Sequence, residues 1–496
     1  MEAPRDEQKD RLRRGAVTAA TAYDAVIVGS GPNGLAAAIA LQSSGLSTLL
    51  VEGADTAGGG MRSSALTLPG FMHDVCSAIH PLGRASPFFK TLGLERFGLQ
   101  WIESTSSVAH VLSSNHVVTL ERSLDQTVAA LGGDGQRYRD LMTPFVESFE
   151  KLLPLILAPL RFPEHPFLMA RFGLEAVQSM TTLARRFDGH EAPALLAGIA
   201  AHAMIPLEEP VTASFALVLA LAAHAVGWPV AKGGSQSLAD ALVAHYEAIG
   251  GKLQLGRPVN HVSELPHAHA IVLDVSPKNV LRLAGDRLTR SYVDRLRRFR
   301  YGPGVYKVDW ALDGPIPWTD PRCTGALTVH LAGPLSELAS RIAETHEGRF
   351  AKRPFIIVGQ PSLVDETRAP KGKQTAWAYC HVPHGSSVDA RIAIESEIER
   401  YAPGFRDIVL ARSSRNAIEM EAHNPNYVGG DINSGVSDWK QLFFRPMAKV
   451  DPYATSAENI FLCSSSTPPG GGVHGMCGYW AAQSVLKRRF GQARSR

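Results

Sequence analysis

Short apolar runs set off by glycine-bearing turns give the chain its pattern. Residues 25–28 and 48–51 are such runs and read as strands buried on both faces, with an alanine-rich helix to about Ser43 between them. Residues 270–274 (AIVLD) and 460–463 repeat the strand pattern. Between these ends, residues 232–265 predict a Gly-Gly turn, a helix with Leu238, Leu242 and Tyr246 on one face, a Gly250-Gly251 stop, and strand-like 252–255 and 259–262. Residues 306–312 and 355–358 suggest strands of a further sheet. From 123 to 227 the pattern is mostly helical and unusually apolar, broken by Pro154 and Pro159, and reads as a helical cap. Such a cap can line a greasy tunnel or rest on a membrane surface, although apolar helical spacing is most often plain core.

Composition narrows the class. The 496 residues are 45% hydrophobic and 20% charged, with 45 glycines and 32 prolines, which excludes wholesale disorder, collagen and coiled coil. A net charge of +3 gives no basic nucleic-acid-binding body, since five bases (Lys487, Arg488, Arg489, Arg494, Arg496) fall in the last ten residues. The five cysteines are scattered without a CxxC pair, so neither a disulfide framework nor a thiolate zinc site is indicated. No H-E-x-x-H accompanies the eighteen histidines, and no metal is expected. The mixed charges of residues 1–22 read as a disordered lead-in, not a secretory signal. The longest apolar run, 213–226, is too short to span a bilayer. The expectation is a cytoplasmic protein with scope for membrane contact.

The chemistry begins at Gly29, Gly31 and Gly34, in G-x-G-x-x-G register between the first strand and its helix. The first glycine makes the tight turn, the second admits a pyrophosphate to the backbone, and the third lets helix pack on strand. Free amides and the positive dipole end at the helix start favour the phosphates. The second strand ends in Glu52, positioned for the ribose hydroxyls of an adenosine. A second glycine loop follows, DTAGGGMRS, with Arg62 available to a phosphate. A nicotinamide domain does not need that loop, no second fingerprint occurs, and the dithiol pair of a disulfide reductase is absent. FAD is the better fit. At the far end, residues 464–472 form a small-residue loop with Gly470, Gly471 and Gly472 in a row, and a helix is expected from Val473 onward. Such a loop can lie against a flavin ring and steady the charge that reduction places on it.

These segments, with GGGMRSSALTLPGFMHDVCSAIHPL, KGGSQSLADAL, KVDWALDGPIPW, NPNYVGGDINSG and FRPMAKVDPYAT, resemble the phytoene desaturase-related flavoproteins, which extend to carotenoid isomerases and retinol saturases. The resemblance runs from about residue 23 to 490. It implies an α/β fold with a discontinuous Rossmann-type FAD-binding domain (23–110, 229–290 and 445–490), a helical cap or substrate region (111–228), a substrate-domain sheet (291–444) and a basic tail (491–496). It places Gly29, Gly31, Pro32, Asn33 and Gly34 at the pyrophosphate, and Glu52 and Gly53 at the ribose. Gly59, Gly60 and Arg62 follow in the second loop. Val259, Ser464, Gly471, Gly472 and Val473 complete the cofactor set. Ser464 and Pro468 depart from the family's usual glycine and histidine. His474 is a candidate for modulating the flavin, against the plainer reading that it caps the helix. Asn424 and Asp431 are candidate substrate-side contacts, against satisfied loop caps.

The implied activity is FAD-dependent desaturation, saturation or isomerisation of a lipophilic isoprenoid or polyene such as a carotenoid, by hydride transfer at flavin N5, with oxygen or a quinone as electron acceptor. No side-chain base is assignable. Two alternatives stay open: an amine-oxidase-like flavoenzyme, for which Tyr479 and Trp480 are the aromatic pair near the flavin end, and a non-catalytic isoprenoid binder that has lost its flavin.

Overall fold

The computed structural model describes residues 23–491. The expected lead-in lies outside the described residues, as does the basic tail beyond Gly491. Strand Tyr23–Val28 pairs in parallel with Thr48–Val51 on one side and Ala268–Leu273 on the other, with Val26 opposite Leu49 and Ile271. Ile460–Leu462 and Lys252–Gln254 complete a five-stranded parallel sheet among the described residues, ordered 460–462, 268–273, 23–28, 48–51, 252–254. Parallel neighbours require crossovers, and crossovers cover both faces with other elements. That is why Ala25, Val26 and Ile27 are wholly buried and why these strands read as continuous apolar runs.

Helix Pro32–Ser43 starts on a proline, whose missing N–H costs nothing at a helix start. It is buried almost all round, because helix Met476–Arg489 lies along it. The two backbones meet at Gly478, where a Cβ would stand 1.8 Å from the Asn33 carbonyl oxygen. The chain's two ends are thus one layered unit.

The second sheet has seven strands among the described residues, ordered 409–415, 304–312, 374–382, 356–359, 326–331, 106–113, 116–121, and is antiparallel except where Ala326–Leu331 meets Ser106–Ser113. The boundary expected at residue 110 therefore falls inside a strand of the other sheet. The hairpin Ser106–Glu121, assigned partly to the cofactor domain and partly to the cap, extends the substrate-side sheet instead, because its Val108, Ala109, Val111, Val117 and Leu120 are buried there. Residues 259–262 form no strand. Pro258 precedes them, and the chain passes into a short 3-10 turn at Val262–Glu264. Helices occupy most of 124–226, and Glu191–Ala200 packs directly on the Ser106–Glu121 hairpin.

A wholly buried ionic knot ties the sheets together. Arg368, just beyond strand Ile356–Gly359, reaches Asp365 at 2.8 Å and Asp74 at 3.0 Å. Asp74 also accepts from the Ser235 N–H and the Ser63 hydroxyl, each at 2.7 Å, and Asp365 accepts from the Gly233 N–H. Every oxygen is engaged, which lets the charges be buried without large cost.

At Gly478 a methyl group has backbone, not a flexible side chain, to displace. Gly478→Ala is expected to lower stability by about 3 kcal/mol, the upper end for overpacking, and to reduce the flavin retained after purification. Thermal unfolding and flavin content per polypeptide check this.

Candidate active site

The first glycine turn is assembled by contact of backbone on backbone. A Cβ at Gly34 would lie 1.9 Å from the Gly29 carbonyl oxygen, and one at Gly59 would lie 2.9 Å from the Gly31 Cα. The second glycine loop therefore rests directly on the first, and the Gly58 N–H donates to the Ser30 carbonyl at 3.0 Å.

Two carboxylates organise the turn from either side. Glu52 accepts from the Ser30 N–H (2.8 Å), the Ser30 hydroxyl (2.6 Å), the Ala54 N–H (2.9 Å) and Arg62 (3.2 Å). Arg62, anticipated at a phosphate, thus spends part of its charge on Glu52, and its Nε donates to the Thr56 carbonyl. Asp274 closes strand Ala268–Leu273 and accepts the Gly34 N–H at 2.8 Å. Burial pushes its carboxyl up to about 7, and the neighbouring Glu52 acts in the same direction, against the amides of Gly34 and Gly31.

The C-terminal loop reaches this turn through Asn33, whose Nδ2 donates to the Ser465 hydroxyl at 3.2 Å across 432 residues of sequence. Between them opens a cleft of about 660 Å³. Gly29, Gly31, Pro32, Asn33, Glu52, Gly53, Gly59, Gly60, Arg62, Val259, Ser464, Gly472 and Val473 all line it, and so does Asn424. Gly34 sits beneath the turn, outside the lining. Ser464 is buried, and its carbonyl accepts from the Thr467 N–H and hydroxyl.

Gly471 and His474 face elsewhere, into a second cavity of about 630 Å³. His474 accepts the Met476 N–H at 3.0 Å at the helix start, and burial holds its pKa down at about 4, so it serves as a neutral capping group outside the lining of the cleft. Asp431 is likewise no substrate contact. Its oxygens take the N–H groups of Gly302, Asn433 and Gly435, each at 2.8 Å, which makes it the organiser of its own loop. Asn424 caps the same region by accepting the Asn426 N–H at 3.1 Å.

The second cavity adjoins the cleft at Leu82, His202, Leu219, Tyr379, Ile432, Asn433 and Gly472. Its walls come from residues 155–163, helix Pro166–Ala176, helix Thr212–Val226 and the 432–445 segment, and no carboxylate lines it. Tyr479 and Trp480 border neither space. Tyr479 packs on Phe88, and the Trp480 indole donates to the Leu157 carbonyl. All five cysteines are free.

Residues 27–92 match a family described as an NAD(P)-binding Rossmann-like domain. Over 94% of its length the chain is 25% identical to rat pyridine nucleotide-disulfide oxidoreductase domain-containing protein 2, covering 93% of that protein. It is 24% identical to a lycopene-forming phytoene desaturase of Paracoccus, over 92% of this chain and 95% of that one. Over nearly its whole length the chain is thus similar to phytoene desaturase-related oxidoreductases. In fold, it superposes on an oxidoreductase from Methanosarcina mazei with a TM-score of 0.61 (16% identity, 93% of this chain, 99% of that one). Cyclohexylamine oxidase from Brevibacterium oxydans gives 0.57 (15% identity, 94% and 99%).

The relatives are oxidoreductases and desaturases by name, and the cleft fits FAD. Bare backbone and the helix start at Gly29–Gly34 suit the pyrophosphate, and Glu52 suits the ribose. The buried Asn33 Oδ1, which has no protein partner, is an acceptor left over for a ligand hydroxyl. Asp274 was missed from sequence, although its strand ends in an acid just as the strand before Glu52 does. Also missed was His80, which lines the cleft and holds Ser235 at 2.8 Å while burial keeps its pKa near 4.

Asp274 loses its proton as pH rises through about 7 and then adds negative charge beside a turn that binds an anion. FAD affinity is expected to weaken about three- to tenfold between pH 6 and pH 8, by ordinary charge–charge repulsion. Asp274→Asn should flatten that dependence. Flavin-fluorescence titration of the apoprotein checks both.

Proposed function

We propose that the protein acts on a lipophilic, isoprenoid or polyene-like molecule, desaturating, saturating or isomerising it. The observation that carries this reading is the second cavity, apolar, free of carboxylates and adjoining the cofactor cleft. Bound in the cleft, FAD supplies a ring that takes up or returns hydride. The chain's own residues supply confinement. Phe172, Phe215, Val218 and Leu219 exclude water and align an extended hydrocarbon toward Gly472. His202 and Tyr379 stand where the two spaces meet. Burial holds the His202 imidazole down at about 4 and pushes the Tyr379 hydroxyl up, so both stay neutral near pH 7 and orient the substrate without exchanging protons.

A polar ammonium substrate, as the amine-oxidase alternative requires, finds no anion in this cavity to receive it. The intact glycine loops and Glu52 favour a flavoenzyme over a binder without flavin. Oxygen or a quinone is the proposed electron acceptor.

Substrate entry from a membrane surface belongs to the same reading. Phe162 and Phe167 are 87% and 90% exposed, and they flank the cavity-lining Arg161, Pro163 and Met169. No helix among the described residues is long and apolar enough to cross a membrane.

Anaerobic mixing of the yellow holoenzyme with a panel of polyenes, isoprenoid lipids and primary amines tests the assignment. Bleaching of the flavin by a lipophile, and none by the amines, is expected; bleaching by amines alone overturns it.

A further inference from the structure

The wall of the apolar cavity holds one cation that makes no ion pair among the described residues. Arg445 lines the wall beside Pro468, Pro469 and Gly471 and is only 1% exposed. Its Nε donates to the Gln441 carbonyl at 3.1 Å and its Nη1 to the Ser465 carbonyl at 3.0 Å, while Nη2 is buried without a partner. Among the described residues it makes no ion pair. Asp431 and Asp438 act on it only through space, since the Asp431 oxygens are held by three backbone N–H groups and Asp438 pairs with Arg300 at 2.5 Å. Arginine keeps its proton in proteins, so this is a buried cation in the wall of an otherwise greasy space. Leaving such a charge unpaired is costly, and an anion that enters the cavity relieves that cost.

The other cation on the wall is already served. Arg161 stacks over the Trp480 ring at 4.9 Å, sits 3.7 Å from Glu164, and is partly open to solvent.

We propose that the cavity takes a long-chain monocarboxylate, with its head group on the Arg445 guanidinium and its hydrocarbon tail between helices Pro166–Ala176 and Thr212–Val226. A single free nitrogen on a single cation matches one negative charge. A phosphate or diphosphate would carry more charge into this apolar space than Arg445 neutralises. This rests on the reading of the cavity as the place of a lipophilic substrate, and narrows it to acids.

The test is calorimetric titration of the flavin-loaded protein with dodecanoate, dodecanol, methyl dodecanoate and dodecyl phosphate. Dodecanoate should bind at least about tenfold more tightly than the alcohol and the ester, the factor a charge-assisted hydrogen bond supplies. In Arg445→Met the acid should fall to within about twofold of the alcohol, and Arg445→Lys should keep part of the preference. If Arg445→Met does not fold, the head-group series on the wild-type protein decides alone. Equal binding of acid, alcohol and ester, tighter binding of the phosphate, or a preference that survives in Arg445→Met overturns the proposal while the lipophilic reading stands. Failure of all four ligands to bind overturns both.

Discussion

The structure depends on a backbone contact between the two ends of the chain. Helix Met476–Arg489 reaches helix Pro32–Ser43 so closely at Gly478 that nothing larger than hydrogen fits against the Asn33 carbonyl. The same Asn33 extends its amide to Ser465. Because Asn33 also belongs to the first glycine turn, helix packing and cleft closure are one event. A shift of either helix would separate the amides of the first turn from the C-terminal loop and open the cleft between them.

A second constraint sets the substrate side in place. Arg368, Asp365 and Asp74 join the seven-stranded sheet to the segment that follows the second glycine loop, with no exposure to water. A buried ion pair of this kind has defined geometry and strong penalties for disruption, so it fixes orientation more than it adds stability. Its consequence is that the two sheets meet along a line where a polar cleft and an apolar cavity share a wall at His202, Tyr379 and Gly472.

Charge is divided sharply across that wall. Glu52, Arg62 and Asp274 gather at the nucleotide end, where amides and a helix start govern their interactions. Beyond Gly472 the lining is aliphatic and aromatic, with cations at Arg161 and Arg445 and no anion. Low dielectric on that side magnifies each charge that remains, which is why the isolated Arg445 matters more than any surface lysine.

The sequence by itself determined the local machinery. The parallel strands were legible because burial on both faces demands unbroken apolar runs, and the glycine turns because close backbone approach admits no other residue. The hairpin Ser106–Glu121 was not placed, since its buried residues satisfy a sheet whose other strands lie some two hundred residues onward. His474 and Asp431 drew attention as polar residues beside glycines, but their polar atoms were claimed by nearby backbone N–H groups. Only the tertiary structure decided that Asp274 meets Gly34 across 240 residues, that one nitrogen of the Arg445 guanidinium is buried without a partner, and that the cavity beside it is free of acids. Such facts depend on which distant side chains packing brings within a few ångströms, and spacing along the chain carries no record of those distances.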